Sequence, residues 1–205
     1  MRVPFQVPAK SMNDRNETVM YDIGISKVIA VATYACISYV VSIIYLILQG
    51  VGDGSQPLIS YYYGEKNFKN LLDTRKLAYG FAIFLSLIGC TIMYFTKSNL
   101  GLLFGTSKEV NLEIAKIMPI FLISVPFVAI LRITTASFYA TEKSVFSYIL
   151  TFIEPLFMLI LIIILPLYGG QIMIWWSTVL ARILSAILAL VLKRRVDKQE
   201  IVIMN

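Results

Sequence analysis

Histidine is absent from this 205-residue sequence, and cysteine occurs only twice. Histidine is the commonest general base and a common zinc ligand, so its absence excludes Ser/His and Cys/His catalysis. Cys36 and Cys90 both lie inside apolar runs, and two such thiols cannot build a disulfide framework or a thiolate zinc site. We therefore expect no enzymatic activity, no bound metal and no cofactor.

Charged residues are also scarce. They make up 15% of the chain, against ~25% in soluble proteins. Hydrophobic residues make up 58%, and the mean hydropathy is +0.77. This composition indicates a membrane protein. The formal net charge of +6 does not indicate a nucleic-acid partner, because the basic residues lie between apolar runs, where they set the orientation in a lipid bilayer.

Five apolar runs are long enough to cross a ~30 Å hydrocarbon core, which takes ~20 helical residues. Each must be helical, because lipid offers the backbone no hydrogen-bond partners. The sequence therefore predicts an all-α membrane protein with five transmembrane helices. We divide it into a polar N-terminal segment at 1–24, a helical lobe at 25–195 and a C-terminal tail at 196–205. The predicted spans are 28–64, 77–96, 117–141, 144–168 and 171–192.

The connections predict how these spans are arranged. Glu142-Lys143 and Gly169-Gly170 are so short that the last three spans must be antiparallel neighbours. The longer link from Lys97 to Lys116 is predicted to be either a short amphipathic helix or a plain loop. Nine lysines and arginines lie on the side of the C-terminus and seven on the other side. The positive-inside rule thus predicts a cytoplasmic C-terminus.

Four spans each contain an ionisable residue, namely Asp53, Arg132, Glu154 and Arg182. Burying such a group in a bilayer costs at least ~2.5 kcal/mol, so it is by default a functional candidate. All four lie about ten residues from the cytoplasmic ends of their spans, close to the bilayer midplane. The tight turns allow Glu154 to reach either arginine, and we expect it to contact at least one.

Polar side chains recur every three or four residues along the first span, which places them on one helix face. Helix packing and a water-lined cavity both explain such stripes, and for the arginines and Glu154 both interpretations remain open. A cavity is favoured for Asp53, because packing needs no ionised group. The stripe of the first span consists of Ser38, Ser42, Tyr45, Gln49, Asp53, Gln56 and Ser60.

The first span also carries Gly50, Gly52, Gly54 and Pro57, a composition unsuited to a regular helix interior. We expect the helix to kink or unwind there. Interrupted helices at membrane depth often mark the binding site of a transporter, although a purely structural bend is the alternative.

The segment GSQPLISYYYGEKN, from Gly54 to Asn67 and including Pro57 and Gly64, resembles a signature of multidrug and toxic compound extrusion (MATE) transporters. In that family the signature ends the second helix of each lobe. The run from Leu165 to Trp175 is similar to the boundary between the last two helices of the family, and 138–143 fits the short turn before it. The resemblance extends from Tyr21 to Arg195.

This resemblance implies the C-terminal lobe of a two-lobe exporter of the cell membrane that exchanges protons or sodium for cationic amphiphilic compounds. The lobe would lack its first helix, so we expect a separate N-terminal half as partner and no activity of the chain alone. Asp53, Tyr62 and Glu154 depart from the residues usual in the family at their positions.

We therefore predict that the chain is part of a cation-coupled multidrug antiporter. Asp53 and Glu154 are candidate proton or cation sites, and Arg132 and Arg182 would hold Glu154 ionised in one state. A flippase for lipid-linked oligosaccharides and a non-transporting membrane interaction subunit are the alternatives. Polar and aromatic contacts to a cationic substrate are expected from Gln49, Gln56, Tyr45 and Tyr139.

Overall fold

The structure is a computed structural model that describes the backbone of residues 12–170 and 172–204, with side chains at 27–170 and 172–197. The described residues form helices joined by short turns. The helices are α1 (Met12–Gly64), α2 (Phe68–Thr96), α3 (Leu100–Leu103), α4 (Lys108–Ala140), α5 (Ser144–Ile164), α6 (Pro166–Gly169) and α7 (Ile172–Met204).

Five stretches of the described chain are long and apolar enough to cross a membrane. This confirms the predicted all-α architecture with five spans. The stretches are Lys27–Gly64, Phe68–Thr96, Lys108–Ala140, Ser144–Gly169 and Ile172–Asp197.

Besides α1, two helices begin earlier than the predicted spans, α2 at Phe68 rather than 77 and α4 at Lys108 rather than 117. Each has an N-cap side chain: Asn67 accepts from the backbone N–H of residue 70 at 3.2 Å, and Ser107 accepts from that of residue 110 at 3.4 Å. The capped first turns are polar, so hydropathy alone does not include them. The charged residues that bound an apolar run therefore mark where the helix leaves the hydrocarbon, not where it ends.

The chain ends also contain more helix than predicted. Helix α1 begins at Met12, inside the segment 1–24, and α7 continues to Met204 through the tail at 196–205. The side chains before residue 27 and after residue 197 lie outside the described residues.

Helix α4 is the centre of the lobe and packs against α1, α2, α5 and α7. Its buried side chains include Phe121, Val125 and Ile133, which join the main apolar core with residues of α1 and α2. Helix α5 is at the periphery, where only Ser147 and Leu150 are buried. The link before α4 contains the short helix α3, in which Leu100 is buried while Leu102 and Leu103 are exposed.

An ion pair joins the start of α2 to the last turns of α7. The Arg75 guanidinium lies 3.1 Å from the Asp197 carboxylate, and Arg75 is buried. The contact places the N-terminus of α2 and the C-terminal part of α7 at the same end of the lobe, as the alternating arrangement of five spans requires.

Of the kink or unwinding predicted in the first span, unwinding is excluded, because α1 is continuous from Met12 to Gly64 with Pro57 inside it. A proline removes one backbone donor and clashes one turn back, but a long packed helix tolerates that loss. Gly50, Gly54 and Gly64 have open space where a Cβ would stand, so no close packing explains them. Gly52 differs, since a Cβ there would lie 3.3 Å from the Cβ of Ala136 on α4.

Candidate functional site

Glu154 lies between two arginines from different helices. Its Oε1 atom is 3.5 Å from Nε of Arg182 on α7, and its Oε2 atom is 3.9 Å from Nη2 of Arg132 on α4. The contact expected between Glu154 and an arginine is therefore confirmed on both sides. These three side chains, which we call the Glu154 triad, carry two positive charges and one negative charge.

The two arginines of the triad have different surroundings. The side chain of Arg182 is 16% exposed, whereas that of Arg132 is 35% exposed. Arg182 also donates to the hydroxyl of Ser124 at 3.5 Å and stacks on the ring of Tyr45, with 4.9 Å between the guanidinium carbon and the ring centroid. Arg182 is thus held by three partners on three helices. Among the described side chains, Arg132 has an ion-pair partner only in Glu154.

Ser124 is a site residue that the sequence analysis missed. Its hydroxyl donates its single hydrogen to the carbonyl of Phe121 at 2.7 Å. The hydroxyl oxygen can therefore only accept further hydrogen bonds, and it does so from Arg182 and from the Tyr45 hydroxyl, which lies at 3.3 Å. Ser124 lies about two turns before Arg132 on α4, and this helical spacing is the signal that would have found it.

Asp53 is separate from the triad. Its Oδ1 atom accepts from the side-chain amides of Gln49 at 2.7 Å and Gln56 at 3.2 Å. The residue is exposed, and among the described residues no basic side chain lies within ion-pair distance of it. The four charges therefore form a triad with a net charge of +1 and one carboxylate held by neutral amides.

A cavity of about 250 Å³ lies near both groups and is lined by Arg132 of the triad but not by Asp53. Gln49 and Gln56 contribute to its wall on α1, and Arg132 contributes from α4. Because both glutamines also bind Asp53, this carboxylate lies one side chain away from the cavity. The remaining polar lining comes from Thr135, Tyr139 and Ser147.

Polar and small side chains also recur at helical spacing on α7, and the stripes on α7 and α1 have different roles. On α7, Thr178, Ser185, Ala186 and Ala189 are buried against neighbouring helices, which is the packing interpretation. On α1, the stripe contributes Tyr45 to the triad and the two glutamines to the cavity, while Ser42 donates to its own helix at the carbonyl of Ser38.

The model of the MatE family matches residues 16–165, which is most of the chain. The chain belongs to the MatE family. This is a family of membrane transporters, so the MatE protein described here is a multi-pass membrane protein with a transporter fold. No curated protein is similar enough in sequence to count as a relative.

Two solved structures share the fold of this MatE protein. One is the outward-facing conformation of a multidrug resistance MATE family transporter of the MOP superfamily, with a TM-score of 0.78 and 16% identity over 84% of this chain. The other is the lipid II flippase MurJ in an inward closed conformation, with a TM-score of 0.62 and 21% identity over 79% of this chain. The chain spans 39% of the length of the first and 36% of the second.

Gly52 sets the approach of α1 to α4 beside the cavity of this MatE protein. We expect Gly52→Leu to lower the free energy of unfolding by about 1 to 3 kcal/mol, because the new side chain must displace Ala136 and the backbone near Arg132. Gly54→Leu is the matched control, since its added atoms meet open space and should have a much smaller effect. Thermal unfolding of the purified chain in detergent measures both, and equal losses would exclude close packing as the role of Gly52.

Proposed function

We propose that the chain is the C-terminal part of a cation-coupled antiporter that exports cationic amphiphilic compounds in exchange for protons or sodium. It would lie in the plasma membrane with its C-terminus in the cytoplasm, and it would carry out transport without enzymatic chemistry. The observation that carries this proposal is Asp53, an exposed carboxylate at membrane depth that two glutamines hold and no described basic side chain neutralises.

The surroundings of Asp53 suit a cation. A carboxylate accepts hydrogen bonds only, so it orients the amide N–H groups of Gln49 and Gln56 towards itself. The two amide oxygens then remain as acceptors for another group. A proton, a sodium ion or an organic cation supplies the positive charge that a carboxylate at this depth requires.

The Glu154 triad supplies a second charged group with a different role. The two arginines supply positive counter-charges to Glu154, so the triad favours the arrangement of α4, α5 and α7 in which all three side chains meet. A transport cycle that separates one arginine from Glu154 would leave its carboxylate open to a cation, and this would link cation binding to the conformation.

The aromatic residues at the site are not equivalent. The ring of Tyr45 already carries the Arg182 guanidinium, so we assign Tyr45 to holding the triad. Tyr139 is exposed at the cavity wall, and its ring is available to a cationic substrate.

A flippase for lipid-linked oligosaccharides is the second candidate. The net charge of +1 in the triad favours it, because a phosphate-bearing substrate needs excess positive charge. The unneutralised carboxylate of Asp53 beside the cavity opposes it. Transport of a fluorescent lipid-linked pyrophosphate, with no transport of ethidium, would favour the flippase.

The antiporter proposal is tested by reconstitution with a MATE N-terminal half that supplies the other lobe. Alternating access moves one repeat against another around a midplane site, so a single lobe should not transport. We expect proteoliposomes with both parts to accumulate ethidium against its gradient when a proton or sodium gradient is imposed.

Proteoliposomes with either part alone are the controls and should show only background ethidium leak. Uphill ethidium transport by the 205-residue chain alone would contradict the requirement for a second half. Stable co-purification of the two parts without transport under any gradient would instead support a non-transporting interaction subunit.

A further inference from the structure

A second cavity, which we call the α1–α2 groove, lies between α1 and α2. It has a volume of about 580 Å³ and shares no lining residue with the cavity beside the Glu154 triad. Gly50 and Gly54 both line it, and at each of them no atom lies within 4 Å of the position where a Cβ would stand. The recess is therefore open where these two side chains are missing. The large apolar side chains that line it are Ile47, Leu58, Leu77 and Phe81.

The polar groups in the wall of the α1–α2 groove are already used. Ser55 donates its hydroxyl hydrogen to the carbonyl of Gly52 at 2.8 Å, and Thr74 donates to the carbonyl of Asn70 at 2.8 Å. Each hydroxyl has one hydrogen, so neither can donate to a ligand. Because no charged residue lines the groove, its wall suits an apolar ligand.

The size of the groove favours a thin ligand over another helix. The lining follows α1 from Ile47 to Leu58, a length of ~16 Å at about 1.5 Å per residue. A helix is about 10–12 Å wide, so a helix of that length occupies on the order of 1,200 Å³. The volume of about 580 Å³ is roughly half of that, which suits an extended hydrocarbon chain.

One end of the groove leads to an aromatic ring and a carboxylate. Residues that line the groove recur every three or four positions along α1 up to Leu58, and the same spacing continues to Tyr61 and Glu65. The Tyr61 hydroxyl donates to Oε1 of Glu65 at 2.5 Å, and both residues are exposed. Among the described residues, no ion pair includes Glu65.

This end of the groove lies at the membrane surface. The apolar stretch of α1 ends at Gly64, so Glu65 comes directly after it, at the level of the phospholipid headgroups. A carboxylate without an ionic partner, next to an exposed tyrosine ring, complements an ammonium group.

We propose that the α1–α2 groove binds one acyl chain of phosphatidylethanolamine, with the ammonium of the headgroup at Glu65 and Tyr61. The acyl chain fills the recess at Gly50 and Gly54, and the carboxylate selects the headgroup. This lipid site goes beyond the proposed transport function and does not depend on it, because the groove contains none of the candidate substrate residues.

The test uses the delipidated 205-residue chain in nonionic detergent and a matched pair of lipids. Dioleoyl phosphatidylethanolamine carries the ammonium, and its N-acetylated form has the same acyl chains and phosphate but no ammonium. Native mass spectrometry gives the dissociation constant of each lipid. We expect the free amine to bind about tenfold more tightly than the acetylated lipid, as a charge-assisted hydrogen bond provides.

Filling the recess should weaken lipid binding. Gly54→Leu and Gly50→Leu each place a side chain in the open space of the groove, and we expect either to weaken phosphatidylethanolamine binding at least about tenfold. Two positions keep the test usable if one variant does not fold. Gly64→Leu is the matched control, because its side chain also meets open space but lies outside the groove, and it should bind like the wild-type chain.

The headgroup contact is tested separately. Glu65→Gln should bring the dissociation constants of the two lipids close to each other and leave binding of the acetylated lipid little changed. Glu113→Gln is the matched control, because Glu113 is paired with Lys116 on α4, outside the groove, and the preference for the free amine should persist.

Three results would overturn the lipid site. The first is unchanged phosphatidylethanolamine binding by both Gly54→Leu and Gly50→Leu, and the second is equal binding of the two lipids by the wild-type chain. The third is a dimer of the wild-type chain that both leucine variants abolish, which would assign the groove to a second copy of the chain. None of them bears on ethidium transport, so the antiporter proposal is decided independently.

Discussion

In the reconstituted transporter, Asp53→Asn is expected to reduce ion-driven ethidium accumulation to the background of protein-free liposomes. The amide keeps the size of the carboxylate and can still bond Gln49 and Gln56, but it carries no charge and binds neither a proton nor sodium at neutral pH. Substrate binding should weaken less than transport, because the cavity wall and Tyr139 remain. Gradient-driven uptake and equilibrium binding of ethidium, measured on the same preparation, separate the two effects.

Asp73→Asn is the matched control for this substitution. Asp73 is an exposed acid on α2 that pairs with Lys76 one turn away at 3.2 Å, so its loss removes the same charge away from the cavity. We expect near-normal transport from the Asp73→Asn protein. Full ion-driven transport by the Asp53→Asn protein would remove Asp53 from the mechanism.

Glu154→Gln is expected to lower the free energy of unfolding by about 3 kcal/mol, because it leaves two guanidinium groups in the membrane interior without a counter-charge. The estimate is at the low end for a buried pair, since Arg132 is partly exposed. Chemical unfolding of the purified chain in mixed micelles measures the loss. Combining Glu154→Gln with Arg132→Gln should recover part of the lost free energy of unfolding, because the double substitution removes one of the two unpaired positive charges.

The ion pair between Glu113 and Lys116 provides the control for Glu154. It joins neighbouring turns of α4 at 3.2 Å, where the side chain of Lys116 is 73% exposed and that of Glu113 is 38% exposed. Glu113→Gln should therefore change the stability by no more than about 0.5 kcal/mol. Equal losses for Glu113→Gln and Glu154→Gln would contradict a structural role for the triad.

The architecture could be predicted from the sequence because membrane helices obey strong rules. The lengths of the apolar runs, and the need to satisfy backbone hydrogen bonds within each run, define five spans. The short links between the last three spans predict the turns at Glu142 and Gly170. The predicted spans do not give the bounds of the helices, because capped polar turns such as the one at Ser107 extend helices beyond the apolar run. Near Pro57 we expected a kink or an unwound segment, and the continuous helix excludes only the unwound segment, because the sequence shows the cost of a proline but not the packing that offsets it.

At the site, the sequence predicted which residues carry charge but not how they are grouped. The meeting of Glu154 with Arg132 and Arg182 followed from the tight turns that hold α4, α5 and α7 together. Asp53 was placed at the same depth, but depth does not say which neighbour a side chain contacts. That depends on the rotation of α1 about its axis, which the close approach of Gly52 to α4 restricts.

Substrate-driven ion movement tests the central claim most directly. If the chain is part of an antiporter, coupling must act in both directions, so an ethidium gradient must move the coupling ion without any imposed ion gradient. Proteoliposomes with both lobes and an internal pH-sensitive or sodium-sensitive dye report this flux when ethidium is added outside. We expect an ethidium-dependent change of internal proton or sodium concentration that is lost in the Asp53→Asn protein. Ethidium transport with no movement of either ion, or equal ion movement in the Asp53→Asn protein, would contradict it.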